Sequence, residues 1–266
     1  MNQSEEYSSF ENQVGGHSFK KPGEGFLKSG NCIYKGFQSN GRGNIEKEFY
    51  ENIHETNPNL EPFIPKYYGI KNIVIEAQQD IDFIILDDLT KQYVHPCIVD
   101  IKVGAQTWDD DAPQSKIDKE RSKYPIQQQL GFRFTGMRIY DSKIKEYRIY
   151  DKKYSYSLTL DTIHQGFINY LQSVQPEDVD SVVCDIVSQL EELLRVLYIP
   201  GGHRLICSSL LIIYEGSPSD DNHKYYPTIH VIDFGHSCKL DKTKIDTNFI
   251  FGLKRIIQEF KLCISK

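Results

Sequence analysis

Residues 96–140 read PCIVDIKVGAQTWDDDAPQSKIDKERSKYPIQQQLGFRFTGMRIY, and this stretch decides the interpretation of the chain. It opens with an apolar run, residues 97–103, between a proline and a glycine, which predicts a short strand. Side chains alternate between the faces of a strand, so Asp100 and Lys102 share one face with Ile98. A carboxylate and an ammonium group side by side on an otherwise apolar strand indicate either a structural ion pair or a charged functional site.

A basic helix is predicted downstream of three consecutive aspartates, residues 109–111. Residues 114–124 follow a proline, and an aspartate or serine is expected to cap the helix. Lys116, Lys119 and Lys123 are three and four residues apart, which predicts one common face. This face beside the strand charges predicts an anion site, and the alternative is a solvated helix face.

Composition limits the classes of function. The chain has 266 residues, enough for one large domain or two lobes sharing a cleft, and its net charge of -6 does not favour nucleic acid or an anionic membrane. Six scattered cysteines without a CxxC pair indicate reduced thiols, with burial expected for Cys97, Cys184 and Cys207. A polar, acidic start and the lack of a bilayer-length apolar run predict a soluble cytoplasmic protein, also compatible with the nucleus.

Four motifs in sequence order resemble the inositol polyphosphate kinase family. Residues 96–104 resemble its PxxxDxKxG signature, and residues 130–140 resemble its LGF…GMRVY segment. Residues 208–216 resemble its SSLL-x-x-YEG strand, and residues 232–236, IDFGH, resemble its IDFAH or DFGK element. The resemblance covers roughly residues 14 to 260.

The resemblance implies a two-lobed α+β kinase-like fold with the nucleotide in the cleft. Residues 1–25 are expected to be a partly flexible arm, of which Val14-Gly15-Gly16-His17 resembles a segment found early in the family. Residues 26–90 are expected to form a small antiparallel-sheet N-lobe with the ATP lysine and hinge. Residues 91–266 are expected to form a larger mixed α/β C-lobe with the substrate-binding helix and metal site.

The N-lobe pattern predicts a hairpin at residues 26–37 and a helix from Asn44 to about His54. Lys35 lies on the second hairpin strand, and the resemblance implies that it binds the α- and β-phosphates of ATP while paired with Glu46. Neither a GxGxxG nor a GxxxxGK loop occurs, which disfavours protein-kinase and P-loop assignments. The resemblance places the nucleotide-binding hinge at Leu86, Asp87, Asp88 and Leu89.

The remaining elements follow from periodicity and turn residues. A turn-rich connection is predicted at residues 62–69, and strands at residues 73–76, 83–86, 144–150, 205–214 and 228–234. Helices are predicted at residues 157–171, 176–198 and 246–260, of which the second has the clearest apolar stripe.

The resemblance also implies chemical roles. Asp233 is the expected ligand of Mg²⁺, although an aspartate before glycine also suits a turn, and His236 either contacts the metal or fixes that turn. Lys102 is expected to reach the transferred phosphoryl group and the acceptor. Asp100 is expected to orient the ribose, tune Lys102 or act as base. The expected substrate-binding residues are Lys102, Lys116, Lys119, Lys123 and Arg133.

The expected partner is a soluble inositol polyphosphate, bound by a monomer without nucleic acid or membrane insertion. A short gap after the DxK strand argues against the trisphosphate 3-kinases. Residues 110–112, DDA, resemble the hexakisphosphate kinases, whereas residues 122–125, SKYP, resemble the multikinases. The sequence favours a hexakisphosphate kinase that forms a pyrophosphate. The alternatives are a multikinase acting on lower inositol phosphates such as the trisphosphate, and a non-catalytic binding module.

Overall fold

The computed structural model describes residues 6–15, 25–75, 79–218 and 225–264. Gly16 and His17 of the early family-like segment lie outside the described residues, as does Glu76 at the end of the predicted strand 73–76. In the described part of the chain, no helix combines the length and apolar character needed to cross a bilayer.

The N-lobe is built on a five-stranded antiparallel sheet in the order β1-β2-β3-β5-β4. Its strands are β1 (Ser8–Ser9), β2 (Phe26–Ser29), β3 (Cys32–Gly36), β4 (Tyr67–Ile75) and β5 (Gln79–Asp87). The predicted hairpin is therefore confirmed as β2 and β3. The arm contributes β1, so this part of it is ordered on the sheet.

Helix α1 (Arg42–Thr56) packs beside this sheet and begins two residues before the predicted Asn44. Gly41, with a φ of 78°, precedes it, and no side chain caps it. Pro58–Phe63 forms a 3₁₀ helix, and the strand after it already starts at Tyr67. The predicted turn-rich connection was wrong there because Gly69, at φ 106°, lies at a register shift and the strand continues through it.

The C-lobe is built on a second five-stranded antiparallel sheet in the order β11-β10-β6-β7-β8. Its strands are β6 (Pro96–Val103), β7 (Phe132–Asp141), β8 (Glu146–Tyr150), β10 (Ser209–Glu215) and β11 (Thr228–Ile232). Strand β6 is central, so Asp100 lies between Leu211 on β10 and Gly136 on β7. The central position explains why this strand is buried along almost its whole length.

The predicted strand 205–214 is two separate strands. β9 (His203–Leu205) pairs with β12 (Ser237–Lys239), and the chain then turns at Cys207 before β10 begins. Cys207 has a φ of 61°, a conformation that ends an extended strand and that the apolar pattern does not reveal.

Two predicted features of the first C-lobe helices were wrong. Helix α2 (Gln114–Lys123) matches its expected range, but Pro113 occupies the cap position and no side chain caps the helix. α3 (Gln127–Leu130) follows it. Of the predicted helix 157–171, only α5 (His164–Tyr170) is α-helical, and Ser157 instead ends α4 (Lys152–Ser157). Asp151 begins α4 by accepting from the backbone of Lys153 and Tyr154.

The long helices α6 (Val179–Leu197) and α7 (Thr247–Lys261) pack on each other and complete the core. Asp246 caps α7 by accepting from the Phe249 backbone at 3.0 Å. Cys184 lies on the solvent side of α6 and is exposed, so its expected burial was wrong, whereas Cys97 is buried and Cys207 half-buried.

Candidate active site

Lys35, Glu46 and Asp233 form a charged cluster where the two lobes meet. Lys35 Nζ donates to Glu46 Oε1 at 2.7 Å and to Asp233 Oδ1 at 2.6 Å. Burial acts to lower the pKa of Lys35, but the two carboxylates outweigh it and hold that pKa above its usual value. The predicted Lys35–Glu46 pair is therefore present. Through Lys35, strand β3 contacts both Glu46 on α1 and Asp233, the residue that follows β11.

Asp233 directly follows β11 and has a φ of 67°, so the backbone turns at this residue and the extended strand ends before it. Its side chain remains 39% exposed although one oxygen binds Lys35. Burial acts to raise the pKa of Asp233, but Lys35 and Lys102 outweigh it, so the carboxylate is ionised. An ionised, partly exposed carboxylate is a suitable oxygen ligand for a hard divalent cation.

Asp100 and Lys102 share a face of β6, as predicted, but they do not form a structural ion pair. Lys102 Nζ donates to the Cys207 carbonyl at 2.7 Å. Asp100 Oδ1 is buried and has no hydrogen-bond partner among the described residues. Burial and the nearby Asp233 raise the pKa of Asp100 to about 6. A buried acceptor without a partner is costly, which indicates that it faces a ligand.

An apolar cleft lies between the lobes, beside the charged cluster of Lys35, Glu46 and Asp233. Apolar side chains from both lobes line it: Ile33, Pro65, Leu86, Leu89, Ile98, Leu211 and Ile232. Lys35, Glu46 and Asp233 line its polar end. Narrow apolar walls with one charged end suit a flat aromatic ring that carries an anionic group.

The expected hinge residues divide into two groups. Leu86 and Leu89 line the cleft, whereas Asp87 and Asp88 do not. Asp88 is fully buried and accepts from Lys28 Nζ at 2.6 Å and from Thr90 N and Oγ1 at 2.8 and 2.6 Å. Asp87 accepts from Lys91 at 2.6 Å. Local partners therefore already bind both carboxylates, and the expected contacts of Asp87 and Asp88 with a nucleotide stay predictions.

A second, charged cavity of about 980 Å³ opens on the other side of Asp233. Its described cationic side chains are Arg42, Lys102, Lys116, Lys123 and Arg133, and its described carboxylates are Asp109, Asp110, Asp111, Glu120 and Asp233. Lys119 is exposed and does not line it. Residues 116, 119, 120 and 123 share one helix face by their i, i+3, i+4, i+7 spacing, and Lys119 lies at the edge of that face, outside the cavity lining.

Carboxylates hold several cations of the charged cavity in place. Asp109 accepts from Lys116 Nζ at 2.9 Å through Oδ2 and lies 3.0 Å from His236 Nδ1 through Oδ1. Glu120 accepts from Lys123. His236 therefore has a carboxylate partner, and the described residues contain no group of three or more His, Cys, Asp or Glu side chains arranged for a metal ion.

Arg42 was missed by the sequence analysis. It lines the charged cavity and also the smaller cavity next to Lys35 and Asp233. The helical spacing could have predicted it, since Arg42 lies four residues before Glu46 and so on the same face of α1.

The fold of the chain is similar to that of solved inositol phosphate multikinase structures. The structure of inositol phosphate multikinase Ipk2 from S. cerevisiae, in complex with ADP and Mn2+, matches with a TM-score of 0.73 and 22% identity over 88% of this chain and 99% of that one. This likeness confirms the predicted two-lobed α+β kinase-like fold.

The chain belongs to the inositol polyphosphate kinase family, whose profile matches residues 83–261. It is 32% identical to human inositol polyphosphate multikinase over 77% of this chain and 50% of that protein. It is 27% identical to the Arabidopsis thaliana multikinase alpha over 91% of each, and 28% identical to mouse inositol hexakisphosphate kinase 3 over 66% and 49%. The chain spans about half the length of the mammalian multikinases it matches.

Proposed function

We propose that the chain is an ATP-dependent inositol polyphosphate kinase of the multikinase type, which phosphorylates lower inositol phosphates such as a trisphosphate. The charge balance of the charged cavity carries this proposal. Five cationic side chains face five carboxylates among its described residues, so its fixed charges nearly cancel. The identity to human multikinase, 32%, against 28% to a hexakisphosphate kinase, points the same way.

The magnitude of the substrate charge separates the two substrate classes. A phosphate monoester carries about -1.5 to -2 charges at neutral pH, so a hexakisphosphate carries roughly -9 to -12 and a trisphosphate roughly half of that. Such a charge must be offset by bound cations, and Asp109 and Glu120 already offset Lys116 and Lys123. The cavity therefore suits the trisphosphate better. This proposal replaces the preference for hexakisphosphate drawn from the sequence.

The described residues fit ATP in the apolar cleft. Leu86 and Leu89 would contact the base, and Lys35 would bind the phosphates at the polar end. The unpartnered Asp100 Oδ1 would accept from a ligand hydroxyl group, in agreement with the expected ribose contact. A divalent cation, when bound at Asp233, would neutralise phosphate charge. The yeast relative was solved with ADP and Mn2+.

Phosphoryl transfer asks the protein mainly for positioning and charge stabilisation. An inositol hydroxyl oxygen forms a bond to the γ-phosphorus, and the bond from that phosphorus to the bridging oxygen of ATP breaks. ADP leaves, and the hydroxyl proton is released to solvent. Lys102 lines the cavity on the acceptor side, and its Nζ is oriented by the Cys207 carbonyl. Its positive charge would stabilise the transferring group, while Lys116, Lys123, Arg133 and Arg42 would hold phosphates that do not react.

The test is a substrate screen of the purified protein with ATP and Mg²⁺ against inositol tris- to hexakisphosphates. The expected result is faster initial turnover of a trisphosphate than of the hexakisphosphate, and no turnover by Asp233→Ala with either. Exclusive turnover of the hexakisphosphate would overturn the substrate assignment. Tight binding of inositol phosphates without ATP consumption would support the non-catalytic binding module instead.

A further inference from the structure

The N-terminal arm, defined here as residues 6–15, connects the two lobes along one side of the apolar cleft. Strand β1 pairs with β2, with Ser8 opposite Lys28, and the next contact is Phe10 N donating to Phe26 O at 3.2 Å. The arm then reaches the C-lobe sheet at Gly136, where an added Cβ would lie 2.9 Å from Gly15 N. The arm is therefore anchored to the N-lobe at one end and to β7 at the other.

Asn12 makes two polar contacts between these two anchors. Its Nδ2 donates to Thr90 Oγ1 at 2.9 Å, and its Oδ1 accepts from Arg138 Nη1 at 2.9 Å. Thr90 lies in the segment between β5 and β6, where the chain passes from one lobe to the other, and Arg138 lies on β7. One half-buried amide thus joins the interlobe segment to the C-lobe sheet.

The bridge fixes residues that form part of the cleft wall. Phe10, Asn12, Gln13 and Val14 line the apolar cleft beside the segment that holds Leu89. Gly15, at φ 72°, passes so close to Asp100 that an added Cβ would lie 2.7 Å from Oδ2. None of the described arm residues lines the charged cavity. Gln13, Val14 and Gly15 also line the smaller cavity that Arg42 shares, whereas Asn12 lines only the apolar cleft.

We propose that Asn12 is a positioning residue of the nucleotide site, which holds the arm as a wall of the cleft and so sets the affinity for the adenine nucleotide. The proposal rests on the nucleotide site of the proposed function. Without the Asn12 bridge, the wall formed by Phe10 and Val14 is released from Thr90 and Arg138, and the bound base loses apolar contact on that side. The affinity for the inositol phosphate is expected to be unaffected because Asn12 lines neither the charged cavity nor the smaller cavity with Arg42.

The test compares Asn12→Ala with Asn169→Ala in the full chain. Asn169 is a matched control, since its half-buried amide also donates one side-chain hydrogen bond, to Tyr154 OH at 2.7 Å, and accepts one, from Gln165 Nε2 at 2.9 Å. Titration calorimetry measures the dissociation constant of ADP with Mg²⁺, and steady-state kinetics measure the two KM values. Loss of two hydrogen bonds is expected to weaken ADP binding about tenfold in Asn12→Ala. Asn169→Ala is expected to remain within about twofold of the unaltered protein.

The KM for inositol phosphate is expected to stay unchanged in Asn12→Ala, and Gly15→Ala is expected to weaken ADP binding as well, since its Cβ collides with Asp100. ADP binding by Asn12→Ala within twofold of the unaltered protein would overturn the proposal, whatever the result for Gly15→Ala. Tighter ADP binding by Asn12→Ala would also overturn it and would show that the arm competes with the nucleotide. Absence of ADP binding by the unaltered protein would instead reject the proposed function.

Discussion

Lys35 Nζ lies 2.6 Å from Asp233 Oδ1, although the two residues are 198 positions apart in sequence. This contact joins β3 of the N-lobe to the end of β11 in the C-lobe, and Glu46 Oε1 shares the same ammonium group at 2.7 Å. A lysine placed between two carboxylates has a fixed direction into the cleft. The charged cluster therefore defines where the phosphates of a nucleotide would be bound.

Replacement of Glu46 by glutamine tests this arrangement. Glu46→Gln keeps the shape of the side chain but removes one of the two charges that orient Lys35. A buried charge-assisted hydrogen bond contributes about 1.5–3 kcal/mol, so kcat/KM for ATP is expected to fall roughly ten- to hundredfold. Glu48→Gln, on the exposed side of the same helix, is the control and is expected to match the unaltered protein. Equal losses in both variants would contradict the role of Glu46.

Asp100 predicts a pH dependence of stability. Burial and Asp233 raise the pKa of Asp100 from 3.8 to about 6. Because the folded-state pKa exceeds the unfolded one, its stabilisation is fully present below about pH 4 and is lost as the pH rises through 6. This linkage amounts to at most about 3 kcal/mol.

Asp100→Asn removes this titration. The free energy of unfolding is measured in urea without ligand for both proteins. The value for Asp100→Asn minus that for the unaltered protein is expected to be larger at pH 7 than at pH 4. Subtraction of the two proteins at each pH cancels the other titrating groups. A difference that does not change between the two pH values would contradict the raised pKa of Asp100.

The lysines of α2 separate catalysis from substrate capture. Lys116→Ala and Lys123→Ala are each expected to raise the KM for the inositol phosphate about ten- to hundredfold, since a charged contact with phosphate contributes about 1.5–3 kcal/mol. Lys102→Ala is expected mainly to lower kcat. Lys119→Ala is the matched control, because Lys119 is on the same helix but outside the cavity. A KM increase for Lys119→Ala equal to the other two would contradict the placement of these side chains.

Asp109 tests the charge balance of the cavity. Asp109→Asn removes the carboxylate that binds Lys116 and His236, so one more uncompensated positive charge faces the substrate. The ratio of kcat/KM for hexakisphosphate to that for trisphosphate is expected to rise by about tenfold. Asp118→Asn, an exposed position of α2 outside the cavity, is expected to leave the ratio unchanged. A fall of the ratio in Asp109→Asn would contradict the electrostatic account of specificity.

Local patterns predicted the parts of the site whose geometry is set within one element. Strand alternation places Asp100 and Lys102 on one face of β6, and a helix after the hairpin brings Glu46 to Lys35. Asp88 shows the limit of such patterns. Its partner Lys28 is 60 positions away, so the sequence could not show that this carboxylate is already neutralised.

The position of the arm, and the division of the predicted strand 205–214 into β9 and β10, depend on tertiary packing. Asn12 reaches Thr90 and Arg138 across 78 and 126 positions, and no local periodicity encodes such contacts. Cys207 interrupts an apolar run by backbone conformation alone. Lys119 shares a helix face with Lys116 and Lys123, but spacing alone does not show how far across that face the cavity extends.

The most direct test of the proposed kinase is a competition between substrates. Equal amounts of an inositol trisphosphate and inositol hexakisphosphate are incubated with less ATP than either, and the products are separated by anion exchange and examined by phosphorus NMR. The account predicts new phosphomonoester signals on the trisphosphate, ADP in equal amount and unchanged hexakisphosphate. Pyrophosphate signals on the hexakisphosphate, with the trisphosphate unchanged, would contradict it.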